Sequence, residues 1–193
     1  MVMDKKFWTD KYKNNETGWD IGYISTPLKE YIDQLDDKDL KILIPGVGNG
    51  YEIEYLWKKG FKNCFALDIS EAPLQNVKQR CPDFPDEQLI CNDFFQLEID
   101  NFDLILEQTF FCALNPDLRK QYATQMHRLL KKGGKLSGLL FDFELTKNGP
   151  PFGGSKEEYL SLFEPKFEIK ILERCYNSIP PRSGNELFFS IIK

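Results

Sequence analysis

The feature that most constrains this chain is an apolar run, Leu40 to Ile44, that breaks into Pro45-Gly46-Val47-Gly48-Asn49-Gly50 and continues at once as the amphipathic segment Tyr51 to Lys59. In order, these read as a strand, a glycine turn and a helix. The turn puts bare backbone at a helix N-terminus, where amide groups and the dipole favour negative charge. A second apolar run, Phe61 to Leu67, ends at Asp68, and Ser70-Glu71-Ala72-Pro73 then reads as the N-cap and first-turn proline of a helix reaching about Arg80. An acid at the end of the second strand is placed to accept from both hydroxyls of an adenosine ribose. Gly46, Gly48 and Gly50 together with Asp68 therefore predict an adenosine-containing cofactor at the switch point of a parallel sheet.

The remainder of the chain extends the same alternation. Gln88 to Cys91 and Phe102 to Leu106 read as the third and fourth strands. Pro116 to Leu130 has helical spacing at Leu118, Tyr122, Met126, Leu129 and Leu130, with Gly133-Gly134 as its stop and Lys135 to Phe141 as the fifth strand. After a loop from Asn148 to Gly154 come a short helix, Lys156 to Phe163, and strands at Lys166 to Arg174 and Glu186 to Ile192, joined through Pro180-Pro181. Two closing strands with no helix between them imply an antiparallel hairpin at one sheet edge. The expected fold class is α/β, with a mostly parallel sheet, and 193 residues suit a single domain spanning 1–193.

Composition removes several classes of function. A net charge of -5 with no basic block disfavours nucleic acid as a partner. The 5 cysteines are scattered, without a Cys-x-x-Cys pair, and there is 1 histidine, so no metal site is expected and reduced thiols in the cytoplasm are. No signal peptide or membrane span is read, so no membrane partner is expected, which is compatible with a small-molecule acceptor as partner. Strong heptads are absent, and the sequence leaves the oligomeric state open.

The glycine turn and its acid also occur with nicotinamide dinucleotides. Here the third glycine follows one intervening residue instead of two, and Glu52 sits where a helix would open to a pyrophosphate. An acid there repels phosphate and favours a phosphate-free cofactor. Asn92-Asp93-Phe94-Phe95, after the third strand, adds a carboxylate able to accept from an adenine amine and a ring able to pack on the base, which singles out Asp93 and Phe94. A nicotinamide-dependent oxidoreductase on a related sheet and a non-catalytic adenosyl-binding module stay open as alternatives at this point.

These residues, with Trp8, Gly18-Trp19-Asp20-Ile21-Gly22, Leu43-Ile44-Pro45-Gly46-Val47-Gly48-Asn49-Gly50, Leu67-Asp68-Ile69-Ser70, Phe111-Cys112-Ala113-Leu114 and Gly149-Pro150-Pro151-Phe152, resemble the thiopurine S-methyltransferase superfamily over nearly the whole chain. Within it, the thiol and halide methyltransferases are the more similar branch. The resemblance implies a three-layer, Rossmann-like class I methyltransferase fold with a seven-stranded sheet, and S-adenosyl-L-methionine as cofactor. It also implies an N-terminal lid over residues 1–35, in which Trp8, Tyr12 and Trp19 close over the cofactor. Gly46, Asp68, Asp93 and Phe94 match cofactor contacts, and Glu107 and Gln108 fall beside the methionine moiety. Tyr12, where tryptophan is more common, and Gln108, where an aromatic is more common, depart from the family pattern.

Such a cofactor implies in-line methyl transfer, for which alignment of the acceptor is the main requirement. With a thiolate or halide acceptor, charge cancels in the transition state, so a dry apolar pocket favours reaction. Phe110, Phe111 and Phe152 join the N-terminal aromatics as candidates to line it, and Arg182 is the candidate for an anionic acceptor. No catalytic residue is assigned, because an acceptor that ionises near neutral pH needs no general base. His127 reads as a solvated helix residue, and Cys112 as a small packed hydrophobe.

Overall fold

The computed structural model describes residues 3–147 and 149–193; Met1, Val2 and Asn148, the last at the start of the loop read at 148–154, lie outside the described residues. The chain divides into two compact units, Met1–Glu98 and Ile99–Lys193. Its strands belong to a seven-stranded mixed sheet in the order β3-β2-β1-β4-β5-β7-β6, numbered along the chain.

The first unit opens with α1 (Lys5–Lys13) and α2 (Thr26–Asp33), followed by β1 (Ile42–Pro45), α3 (Tyr51–Lys58), β2 (Cys64–Asp68), α4 (Glu71–Arg80) and β3 (Leu89–Cys91). β1 pairs with β2, and β2 with β3, all parallel. Every residue of β1 is buried, which is how a strand covered on both faces reads in sequence. The two N-terminal helices are additions to the sequence reading. Asp4 caps α1 by accepting from the Phe7 amide at 2.9 Å, and Lys11 and Lys13 in its last turn suit the negative end of the dipole. Pro27 at the start of α2 follows Ser25 at its N-cap.

The second unit contains β4 (Phe102–Glu107), α5 (Arg119–Leu129), β5 (Leu130–Phe141), α6 (Lys156–Phe163), β6 (Glu168–Arg174) and β7 (Glu186–Ile192). β4 and β5 are parallel, whereas β7 runs antiparallel to both β5 and β6, which is the expected edge hairpin. One boundary differs from expectation. α5 ends at Leu129, Leu130 is already extended, and Gly133-Gly134 lies inside β5 and does not stop the helix. The reason is steric: a Cβ on Gly134 would stand 2.7 Å from the Phe102 carbonyl oxygen, beside an irregularity in the β4–β5 register.

Candidate active site

In the first unit, the turn after β1 is held from within. The Val47 amide donates to the Leu67 carbonyl at 3.0 Å and the Gly50 amide to the Val47 carbonyl at 3.1 Å. Gly48 and Gly50 both take left-handed conformations, for different reasons. A Cβ on Gly50 would stand 2.4 Å from Val77 Cγ2, so this glycine lets α3 pack against α4; a Cβ on Gly48 would meet nothing nearer than the Tyr12 hydroxyl at 3.7 Å. Gly48 is thus covered at ordinary contact distance by the Tyr12 hydroxyl, and its left-handed backbone, φ 57°, is what calls for glycine there.

Asp68 ends β2 beside this turn. It is 9% exposed, and its carboxylate accepts from the Ser70 amide at 2.9 Å, with the Gly48 and Ile69 amides also directed at it. Burial pushes its pKa up to about 6, against the pull of those amides. The Asn92 amide donates to the Asp68 carbonyl at 3.0 Å, which brings the Asn92-Asp93 segment to the same strand end. Asp93 is half-buried and caps the short turn that follows by accepting from the Phe95 amide at 2.9 Å, while Phe94 is buried with its ring against Phe95.

α1 places Trp8 and Tyr12 one turn apart on one face. The Trp19 ring meets both edge-on, with centroids at 5.6 and 5.7 Å. The Tyr12 hydroxyl is held in its protonated form, first by burial and then by the charge of Asp68, so these rings and the glycine turn share one neighbourhood. Two contacts fix them there. Thr9 and Ser70 hydroxyls lie 3.0 Å apart, joining α1 to the start of α4. Asp20 accepts from the Gly22 amide at 2.8 Å and from the side chains of Asn49, within the glycine turn, and Tyr51. Asp20 belongs to the quoted Gly18–Gly22 motif, but as an isolated acid in sequence it gave no sign of this latching role.

In the second unit, β4 ends at Glu107, which is fully buried. Its carboxylate accepts from the Phe110 amide at 2.7 Å, the Phe111 amide at 2.9 Å and the Tyr122 hydroxyl at 2.6 Å. Burial pushes its pKa up to about 7 in spite of these donors. The Glu107 carboxylate shapes the turn that follows β4, where Thr109 adopts a left-handed φ of 57°. Gln108 beside it is half-buried.

Phe111 packs into an aromatic core, with Tyr122 at 4.9 Å, Tyr159 at 5.7 Å and the Arg119 guanidinium 4.8 Å over its ring. Phe110 is half-buried against Tyr122, and Phe152 is buried, its amide donating to the Cys112 carbonyl at 2.8 Å. A cavity of about 10 Å³ opens between Thr109, Phe111, Cys112, Leu139, Leu140, Phe141 and Glu186. Of the rings expected to line an acceptor pocket, Phe111 lines this cavity, and Phe110 and Phe152 lie outside its lining. Arg182 lies 3.5 Å from Glu186 and 5.7 Å from the Phe141 ring centroid. Glu186 was not singled out in the sequence, where it is one acid among many.

Cys112 is buried and burial holds its thiol protonated, as expected of a packed side chain. His127 is half-buried against the Phe167 ring at 5.4 Å, somewhat less solvated than its helix position suggests. Among the described residues no group of His, Cys, Asp and Glu could hold a metal ion, and no helix is long and apolar enough to cross a membrane.

The glycine turn, the Asp68 carboxylate that its Gly48 amide faces and the nearby rings thus lie together at the end of β1 and β2, and comparison with known proteins gives the family. The family model described as Thiopurine S-methyltransferase matches residues 3–188. A probable thiol methyltransferase 2 from Arabidopsis thaliana is 29% identical over 184 residues, covering 93% of this chain and 81% of that protein. The thiocyanate methyltransferase 1 of the same plant is 28% identical, with the same coverage of 93% and 81%. Among solved structures, 1,6-didemethyltoxoflavin-N1-methyltransferase from Burkholderia thailandensis, with bound 1,6-didemethyltoxoflavin and S-adenosylhomocysteine, superposes with a TM-score of 0.76 at 17% identity, covering 98% of this chain and 86% of its own. That likeness establishes the class I methyltransferase fold. A family model that accounts for nearly every residue, on this fold and with these glycines and acid in place, means that the chain belongs to the thiopurine S-methyltransferase family and is an S-adenosyl-L-methionine-dependent methyltransferase.

Proposed function

We propose that this enzyme methylates a small sulfur or halide nucleophile in the cytoplasm. The observation that carries the reading is the convergence, within one unit, of Asp68, the Gly48 amide directed at it and the Trp8–Tyr12–Trp19 cluster, whose Tyr12 hydroxyl lies against Gly48. When bound, the cofactor supplies an electrophilic methyl group on a sulfonium. Asp68 accepts from the ribose hydroxyls, Gly46 and Gly48 present backbone to the cofactor, and Asp93 and Phe94 border the adenine. Residues 1–35 act as the lid of a single domain, and their rings attract the sulfonium charge by about 0.5–2 kcal/mol per well-placed ring. The names of the plant relatives, a probable thiol and a thiocyanate methyltransferase, support a small acceptor.

Calorimetric titration with S-adenosylhomocysteine, followed by turnover on iodide, sulfide, thiocyanate, small aryl thiols and thiopurines, tests this reading. Saturable binding and methylated product from sulfide or iodide are expected, and a chain that binds no S-adenosylhomocysteine refutes it. The lid has its own expected result. Trp19→Ala removes the ring shared by Trp8 and Tyr12 from a half-buried position, so cofactor affinity should fall about tenfold or more while Tm moves by only a few degrees. Equal damage to both would make Trp19 a core residue.

A further inference from the structure

The glycine turn after β1 offers the rest of its unit little to hold. Of the residues between β1 and α3, Gly46, Gly48 and Gly50 have no side chain and Val47 is buried, which makes Asn49 the polar handle of the turn. Its amide is used at both ends. The Asn76 side chain, on α4, donates to Asn49 Oδ1 at 2.6 Å, and Asn49 Nδ2 donates to Asp20 Oδ2. Tyr51, at the first position of α3, sets its hydroxyl 3.4 Å from the same Asp20 oxygen. All four side chains are half-buried members of the first unit.

The other Asp20 oxygen serves its own loop. Asp20 Oδ1 accepts from the Gly22 amide at 2.8 Å, the Asp20 amide donates to the Thr17 carbonyl at 2.9 Å, and Gly22 takes the left-handed φ of 83° that closes this turn. One carboxylate oxygen thus shapes the loop that carries Trp19, and the second ties that loop to Asn49. A carboxylate only accepts, so Asp20 dictates that Asn49 points its NH2 group at the loop and its oxygen at Asn76. The order of donors along Asp20, Asn49 and Asn76 is therefore set from the loop end. Trp19 is the chain neighbour of Asp20, and its ring meets both Trp8 and Tyr12, so a shift at Asp20 moves the centre of that cluster.

We propose that Asp20 is a positioning residue for cofactor binding that acts through Trp19: the relay from Asp20 through Asn49 to Asn76 holds the Trp19 loop in register with the glycine turn and with α4. The relay makes its bonds within the protein, so the loop is ordered before the cofactor arrives and less freedom is lost on binding. Its effect is read as cofactor affinity. The assignment rests on the reading that the glycine turn and Trp19 border the cofactor, and adds to it the residue that keeps those two in step.

The test is a cycle of variants titrated calorimetrically with S-adenosylhomocysteine, with the Tm of each measured alongside. Asn49→Asp sets two carboxylates face to face and should weaken binding about tenfold or more. Asp20→Asn lets the amides of Asn49 and Asn76 both turn over, and should stay within about threefold of wild type. The exchange, Asp20→Asn together with Asn49→Asp, again sets an acceptor opposite each donor and should bring affinity back to within about threefold, although the charge at position 49 remains. Tm should vary by only a few degrees across the set. In a Trp19→Ala background, Asn49→Asp should cost no more than about twofold further, because its effect passes through the missing ring. If Asn49→Asp does not fold, Asp20→Ala decides, with a loss of about tenfold expected that Asp20→Asn does not share. An exchange variant as weak as Asn49→Asp, an undiminished cost of Asn49→Asp without Trp19, or an Asp20→Ala protein that binds like wild type overturns the role of Asp20 and leaves the cofactor reading intact. Wild-type protein that binds no S-adenosylhomocysteine overturns the cofactor reading itself.

Discussion

Asp68→Ala should weaken S-adenosylhomocysteine binding by about two to three orders of magnitude, because in the proposed site it deletes a charged acceptor for a pair of hydroxyls and such bonds contribute about 1.5–3 kcal/mol each. Calorimetry on the purified variant measures this directly. Thermal stability should not fall in parallel. Asp68 is held with its pKa raised to about 6, so its ionised form is less favourable folded than unfolded, and its removal relieves a burial cost while losing the Ser70, Gly48 and Ile69 amide contacts. The same shift sets the pH dependence of binding. Only the carboxylate accepts from both hydroxyls, so wild-type affinity should hold above pH 6 and decline as pH falls through about 6. The Asp68→Ala protein should lack that decline, and a wild-type affinity flat from pH 7 to about 5 would remove Asp68 from the cofactor contacts.

Glu107→Ala should lower stability by about 3–5 kcal/mol, since it leaves the Phe110 and Phe111 amides and the Tyr122 hydroxyl without an acceptor in a site sealed from water. For a chain of this size that corresponds to a Tm decrease of roughly 10–15 °C, readable by calorimetric melting. Glu107→Gln retains an acceptor oxygen and should lose much less. The two carboxyl states give a second check. The folded pKa of about 7 lies above the unfolded value of 4.5, so folding takes up a proton between them and this group's contribution declines as pH rises through that window. Relative to Glu107→Gln, the wild type should lose up to about 3 kcal/mol of stability between pH 4.5 and 7. A constant difference between the two proteins over that range would show that Glu107 stays ionised throughout.

The parts of this fold that were readable in sequence are those where backbone chemistry restricts residue choice. The β1–α3 turn needs left-handed residues and announces itself by glycine, and β1 and β4 are buried enough to read as apolar runs. The edge hairpin followed from strands without a helix between them. The α5–β5 junction misled because glycine serves equally to end a helix and to let two strands approach; only the proximity of the Phe102 carbonyl to Gly134 separates these uses. α1 and α2 were masked by charged and polar surfaces, although Trp8 and Tyr12 at helical spacing and Pro27 after Ser25 carried a usable signal. The site divides in the same way. Gly48 and Asp68, close in chain order to one crossover, were legible together. Arg182 was singled out in sequence, but its partner Glu186 emerged only from the fold, as did the link from Asp20 to Asn49.

The turn after β4 and the helix bearing Trp8 are secured by different kinds of bond, and this has a physiological corollary. Glu107 grips its turn through hydrogen bonds that mobile ions do not reach, so the turn after β4 keeps its shape in dilute or concentrated salt. α1 leans partly on an outer pair, Lys5 with Glu71 at 3.4 Å, both largely exposed, where counterions compete freely. Ionic strength thus acts on how α1 rests against α4 and spares the turn after β4, so salt loosens one end of the first unit without softening the turn in the second.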